Sequence, residues 1–262
     1  MFGQILVEFL FRLTFGIAAS MGMTPSRWVT SGFYRVHLWV LLGLQTLAAL
    51  VVYSSQPASE TAVTMHRWQL GLAMAAAALS YVGAVIWMYE RNLAGKVAIW
   101  LVAGLALAGW AWPVFAATKP ILFQLADRFT GGLLLGLVTT AMLLGHWYLN
   151  TPTMKLEPLR RLIVYLVAAV VLRALVCGLG TWLEMAGPLD RPAGAQTTWL
   201  LFLSLRWLAG ILGVLGLAGL TWQTLKIPNT QSATGILYAA VILAFIGELT
   251  SQLLSAEARF PL

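Results

Sequence analysis

RRLIVYLVAAVVLRALVCGLGTWLEM, residues 160–185, decides the fold. Between its opening Arg pair and Glu184 near its close, the stretch carries one charge, Arg173. A helix rises 1.5 Å per residue, so about 20 predominantly apolar residues cross the hydrocarbon core of a bilayer. The segment therefore reads as a membrane-spanning helix with a guanidinium near mid-depth. Seven further runs read the same way, at roughly 4–20, 36–54, 69–88, 96–117, 129–150, 198–222 and 232–255. Pro113 is expected to kink the fourth run or end it early.

The whole chain agrees with its runs. Of 262 residues, 60% are hydrophobic and 10% charged, against roughly 25% charged in a soluble domain. Mean hydropathy is +0.83. Lipid accepts such a surface and water does not. The expected fold is all-α: a polytopic bundle of about eight transmembrane helices, forming one domain over 1–262. The connecting loops are too short for a soluble domain, so other membrane or redox subunits and lipid are the expected partners.

The net charge of +7 reads as positive-inside loop charge. No Lys/Arg run interleaved with aromatics points to nucleic acid. Arg27, Arg35, Arg91, Lys96, Lys155, Arg160, Arg161 and Lys226 fall on one side; Arg67, Lys119, Arg128, Arg191 and Arg259 fall on the other. Eight against five puts both termini outside, in the inner membrane of a bacterium. Trp68, Trp112, Trp147 and Trp222 near helix ends fit interfacial belts. Glu8 and Arg12 interrupt the first run, and no Lys or Arg precedes it, so it reads as a retained helix rather than a signal peptide.

A short repeat suggests two halves, 1–120 and 121–262. Thr24-Pro25 then Arg35 follow the first run; Thr151-Pro152 then Arg160-Arg161 follow the fifth. The 147–161 loop, with two prolines and its closing Arg pair, reads as a defined positive-inside turn.

Charges at membrane depth are costly and mark functional candidates. Glu8, Arg12, Arg173, Arg206 and Glu248 are five of them. Glu8 and Arg12, four apart, share a helix face. On the topology above, all five lie at or outside mid-depth. One reading is a polar cavity for a quinone headgroup. There Glu248 exchanges the proton, Arg206 and Arg173 set its acidity, and Glu8, Arg12 and His66 help hold the ligand. The other reading is a set of ion pairs that locks the bundle or binds a neighbour. His37 and His146, at similar depth on the second and fifth runs, are candidate axial ligands of a b-type haem, with Gly145 leaving room. They also fit interfacial positions. His66 reads equally as a loop residue.

Other chemistries lack their motifs. There is no phosphate-binding Gly-rich loop, dinucleotide fingerprint or His-Glu-x-x-His site. No lysine falls inside a run beyond Lys96 at the start of the fourth, which removes a retinal Schiff base. Cys177 alone cannot hold an iron–sulfur cluster. Lipid-directed hydrolysis needs clustered His and Asp, and only Asp127 and Asp190 exist.

Eight helices in two halves, an outer polar cavity and no catalytic domain resemble the polysulfide and DMSO reductase-type family of quinone-reactive membrane anchors. Gly247-Glu248-Leu249 is similar to a stretch in that family's last helices; Gln252 and Leu253 stand where its Arg and aromatic pattern is expected. The resemblance implies electron exchange between a quinone and an iron–sulfur partner, usually without haem. Two other functions stay open. One is a small-molecule or ion transporter, suggested by the repeat and by Gly131-Gly132, Gly136, Gly210, Gly213, Gly216 and Gly219. It should show interrupted helices, and none is evident. The other is a structural or assembly subunit without a ligand.

Overall fold

The computed structural model describes residues 2–55, 60–115, 119–151, 153–187, 193–227 and 229–262. Asp190, Arg191 and Pro152, and the end of the fourth run at 116–117, lie outside them. Among the described residues there is no strand. The helices are α1 (Phe2–Met23), α2 (Ser31–Ser54), α3 (Glu60–Met88), α4 (Asn92–Phe115), α5 (Ile121–Asn150), α6 (Glu157–Met185), α7 (Ala193–Leu205), α8 (Val214–Lys226) and α9 (Thr230–Glu257). A π-helical segment, Arg206–Gly213, joins α7 to α8 in one rod. Eight of these units are long and apolar enough to cross a membrane.

Several boundaries differ from the sequence reading, each for a local reason. Helix α5 starts right after Pro120, eight residues early, because Pro suits a helix start and nothing up to residue 129 breaks the turn. That moves Asp127 and Arg128 from loop to helix. Helix α3 begins at Glu60, so His66, Arg67 and Trp68 are helical. Arg35 belongs to α2 and Lys96 to the second turn of α4. Pro113 is accommodated inside α4, which runs on to Phe115. The seventh span is continuous, with the π segment inside it. The amide N–H of Ser232 donates to the Asn229 side chain (3.0 Å) and caps α9.

Packing follows the positions of small residues. Helices α1 and α5 form the centre: 78% and 72% of their spanning windows are buried, against 28–44% for the other spans. They cross where Gly16 meets the Gly132-x-x-x-Gly136 pair. A Cβ on Gly16 would stand 1.9 Å from the Gly132 carbonyl oxygen, so only glycine permits the approach. Around this axis, α2, α3 and α4 close one ring with α1, while α6, the α7–α8 rod and α9 close a second with α5. The rings correspond to residues on either side of the α4–α5 connection. A second close crossing joins Gly210 of the π segment to Gly247 of α9, where a Cβ on Gly247 would meet Gly210 Cα at 2.3 Å. Gly216 and Gly219, by contrast, face open space. The outer surface is studded with exposed apolar side chains such as Leu50, Leu101, Leu175, Leu201 and Ile242, a lipid-facing surface.

A buried charge network and its cavity

The charged side chains of five elements meet between the two rings. Helix α1 supplies Glu8 and Arg12, one turn apart. Helix α5 supplies Asp127 and Arg128 from its second turn. Arg173 comes from the middle of α6, Arg206 from the first residue of the π segment, and Glu248 from α9. Arg12 donates from Nη2 to Glu8 Oε1 and to Asp127 Oδ2, the latter at 2.9 Å. Arg128 Nε pairs with Glu8 Oε1 at 3.0 Å, and its Nη1 donates to the Trp110 carbonyl at 2.7 Å. The Arg12–Asp127 and Glu8–Arg128 pairs bridge the rings.

Arg173 has five N–H bonds, and its surroundings use its whole fork. Nε and Nη2 each donate to Glu248, at 2.9 Å, in a bidentate pair. Nη1 donates to Asp127 Oδ1 (2.6 Å) and to the Asp127 carbonyl (2.9 Å). Nη2 also reaches Ser251 Oγ at 3.1 Å. Arg206 Nη2 adds a second cation to Glu248 Oε1 at 3.0 Å and touches Cys177 Sγ at 3.3 Å. Arg173, Arg206 and Glu248 are all fully buried. Space is made by Gly131, where a Cβ would fall 2.5 Å from Glu248 Oε2. Counted over these residues, four guanidiniums face three carboxylates. Nε and Nη1 of both Arg12 and Arg206 have no hydrogen-bond partner among the described residues.

A cavity of about 580 Å³ opens at one end of the network. It is lined by Gln4, Ile5, Glu8 and Arg12 of α1, by Gln124, Asp127 and Arg128 of α5, by Gln252, Ser255 and Ala256 of α9, and by Lys119 and Arg259–Pro261. Gln252 Nε2 and Oε1 and Gln124 Nε2 are buried without partners among the described residues. Lys119 is engaged by the carbonyls of Ser255 (2.8 Å), Ala256 (3.1 Å) and Ala258 (2.8 Å). Burial pushes the pKa of its ammonium down, and the Glu184 carboxylate offsets part of that.

The five intramembrane charges expected from the sequence are thus in one connected cluster, but they divide by place. Glu8 and Arg12 line the cavity. Glu248, Arg173 and Arg206 do not; they form a closed layer behind it. Asp127, which the sequence reading left outside the membrane, is the hinge between the two groups. Its signal was the stretch from Ile121 to Phe129, which holds no Pro or Gly to break a helix.

The histidines lie elsewhere. His66 is half-buried on α3, which packs on α2 and α4, and is not among the cavity's lining residues. His37 is buried, with Nδ1 2.6 Å from the Phe33 carbonyl and its ring beside Phe33 and Trp147. His146 is exposed and meets Tyr238 OH at 3.3 Å. Each imidazole is engaged by its own aromatic neighbours. The 147–161 turn is held from within: Tyr148 OH donates to the Lys155 carbonyl, and Thr151 Oγ1 to that of Trp147.

Lys96 lies in α4 rather than in a loop, with Nζ donating to the carbonyls of Met21 (2.8 Å) and Gly22 (3.0 Å). It closes the end of α1. No protein-family model, curated protein or solved structure matches the chain.

Proposed function

We propose that the chain is the integral membrane subunit of a respiratory-type electron-transfer complex, and that the cavity between α1, α5 and α9 receives a quinone headgroup. The observation that carries this reading is the cavity's polar lining, in which Arg12, Gln124 and Gln252 stand beside Glu8 and Asp127 and hold buried N–H groups with no hydrogen-bond partner among the described residues. Buried N–H groups demand acceptors, and a quinone offers two carbonyl oxygens. Glu8, the most accessible of the network's carboxylates at 19%, is placed to exchange the proton with the outside. Glu248, held by two arginines, keeps Arg173 and hence Asp127 in position. The loops carry no electron acceptor of their own, so another redox subunit takes the electrons. On this reading the cavity lies at the outer face of a bacterial inner membrane, which the loop-charge bias supports.

The test is to purify the protein in mild detergent, identify co-purifying chains, extract bound quinone and record a reduced-minus-oxidised spectrum. Quinone retained by the parent and reduced about tenfold or more in Glu8→Gln and in Gln252→Leu supports the site. A haem band lost in His37→Ala and His146→Ala would make the chain a b-type cytochrome instead. No quinone, no haem and no partner would favour a second reading, a transporter. That reading rests on the π segment at Arg206, since π turns inside helices are frequent at functional sites. Partners without quinone would leave the ion pairs as an assembly device.

A further inference from the structure

We propose that the bundle end opposite the cavity binds an anionic phospholipid, with the headgroup between Arg27 and Arg161 and an acyl chain along α6. The Lys and Arg residues of this end outnumber its carboxylates, Glu90 and Glu157. Arg27, exposed in the α1–α2 turn, has no ion pair and no side-chain hydrogen bond among the described residues. Trp28 gathers two of the cations. Its N–H donates to the Pro25 carbonyl at 3.2 Å, and Val29 beside it is buried, so the turn is fixed. Trp147 Nε1 donates to Thr30 Oγ1 at 2.9 Å and ties the same turn to α5. The Arg27 guanidinium carbon stands 4.4 Å from the Trp28 ring centre, and that of Arg161, near the start of α6, stands 4.8 Å from it. An indole attracts each cation, but two cations on one indole repel each other. Glu157, 3.0 Å from Arg161 Nε, offsets one of them. The other is left for an anion, and a phosphate matches the guanidinium fork as a carboxylate does.

The surface below the arginines favours a lipid over an acidic protein. From Arg161 the exposed positions of α6 continue at Tyr165, Ala168, Leu172, Leu175 and Leu179. Steps of alternately four and three residues keep them on one helix face. The face is apolar, and Leu175 on it is 66% exposed. It starts at the guanidinium and runs towards the middle of the bilayer. A soluble acidic partner matches the charge alone; a phospholipid matches both the charge and the stripe. Basic sites at the ends of spanning helices hold acidic headgroups in this way. Arg27 belongs to the first ring and Arg161 to the second, so the headgroup bridges the rings at the end away from the Arg12–Asp127 pair. The inference does not depend on what the cavity receives.

The experiment is native mass spectrometry of the full chain in mild detergent, titrated with phosphatidylglycerol and, separately, with phosphatidylcholine of the same acyl chains. The parent is expected to bind phosphatidylglycerol about fivefold or more tightly than phosphatidylcholine. Arg27→Gln and Arg161→Gln should each remove most of that preference. Arg91→Gln deletes an exposed cation of the same end, in the α3–α4 connection, and should change it by less than about twofold. Thermal melting verifies that each variant stays folded; Arg27→Gln, in an exposed turn, serves if Arg161→Gln does not. Equal affinity of the parent for the two lipids would overturn the proposal, as would an undiminished preference in Arg27→Gln. An equal loss in Arg91→Gln would overturn it too, by showing diffuse attraction rather than a site. Poly-L-glutamate held by the same two arginines, with no preference between the lipids, would replace the lipid with an acidic protein.

Discussion

At the scale of single residues, Asp127 matters most. It is 6% exposed and shared by two arginines. A buried pair is weak evidence for stability when intact, but removing one partner strands a charge and costs about 3–5 kcal/mol. Asp127→Leu should therefore lower the midpoint of thermal unfolding in detergent sharply. Glu157→Leu, which deletes an exposed pair with Arg161, should shift it little, in keeping with roughly 0–1 kcal/mol for surface pairs. Equal melting of the two variants would mean the buried network is not structural. Glu248→Leu should resemble Asp127→Leu, and Arg173→Leu added to Glu248→Leu should recover part of the loss, since no unpaired member of that couple remains.

At the scale of elements, two glycine series make opposite predictions. Gly16→Ala forces α1 away from α5 against a backbone carbonyl. It should destabilise by about 1–3 kcal/mol or more, because overpacking at a backbone contact has no flexible side chain to yield. Gly216→Ala meets nothing within 4 Å and removes a helix-weakening residue. It should be neutral or stabilising by up to about 1 kcal/mol. Chemical denaturation or thermal melts of both, side by side, check the pair. The number of spans was legible because length and apolarity are summed over some twenty residues each. Their ends were not, because Lys96, Asp127 and Arg128 look like loop residues until the fold supplies partners. The gathering of Glu8, Arg12, Arg173, Arg206 and Glu248 was foreseeable from the cost of burying charge. The identity of the cavity-lining carboxylate was not: which charge faces space and which is sealed behind it depends on Gly131 and on the π segment. Hydropathy reads neither.

At the scale of the molecule, the two rings are joined along α1 and α5 by a glycine crossing and by the Arg12–Asp127 and Glu8–Arg128 pairs. A chain divided in the α4–α5 connection and expressed as two pieces should therefore reassemble into one complex, recoverable through a tag on either piece. Asp127→Leu in the second piece should abolish or greatly reduce that recovery. Recovery unaffected by the substitution would show that the glycine crossing alone unites the rings. Nothing in the repeat at Thr24-Pro25 and Thr151-Pro152 measured how the halves meet. That contact is made by faces far apart in sequence.

The separation between Arg12 and Asp127, 115 residues along the chain, has a consequence for biogenesis. At about 5–20 residues per second of synthesis, α1 emerges roughly 6–23 s before the carboxylate that completes its pairing. During that interval Glu8 and Arg12 have only each other. Their one-turn spacing makes the first helix self-neutralising enough to wait at the insertion machinery. When α5 arrives, the waiting pair trades a mutual embrace for shared membership in the mature assembly.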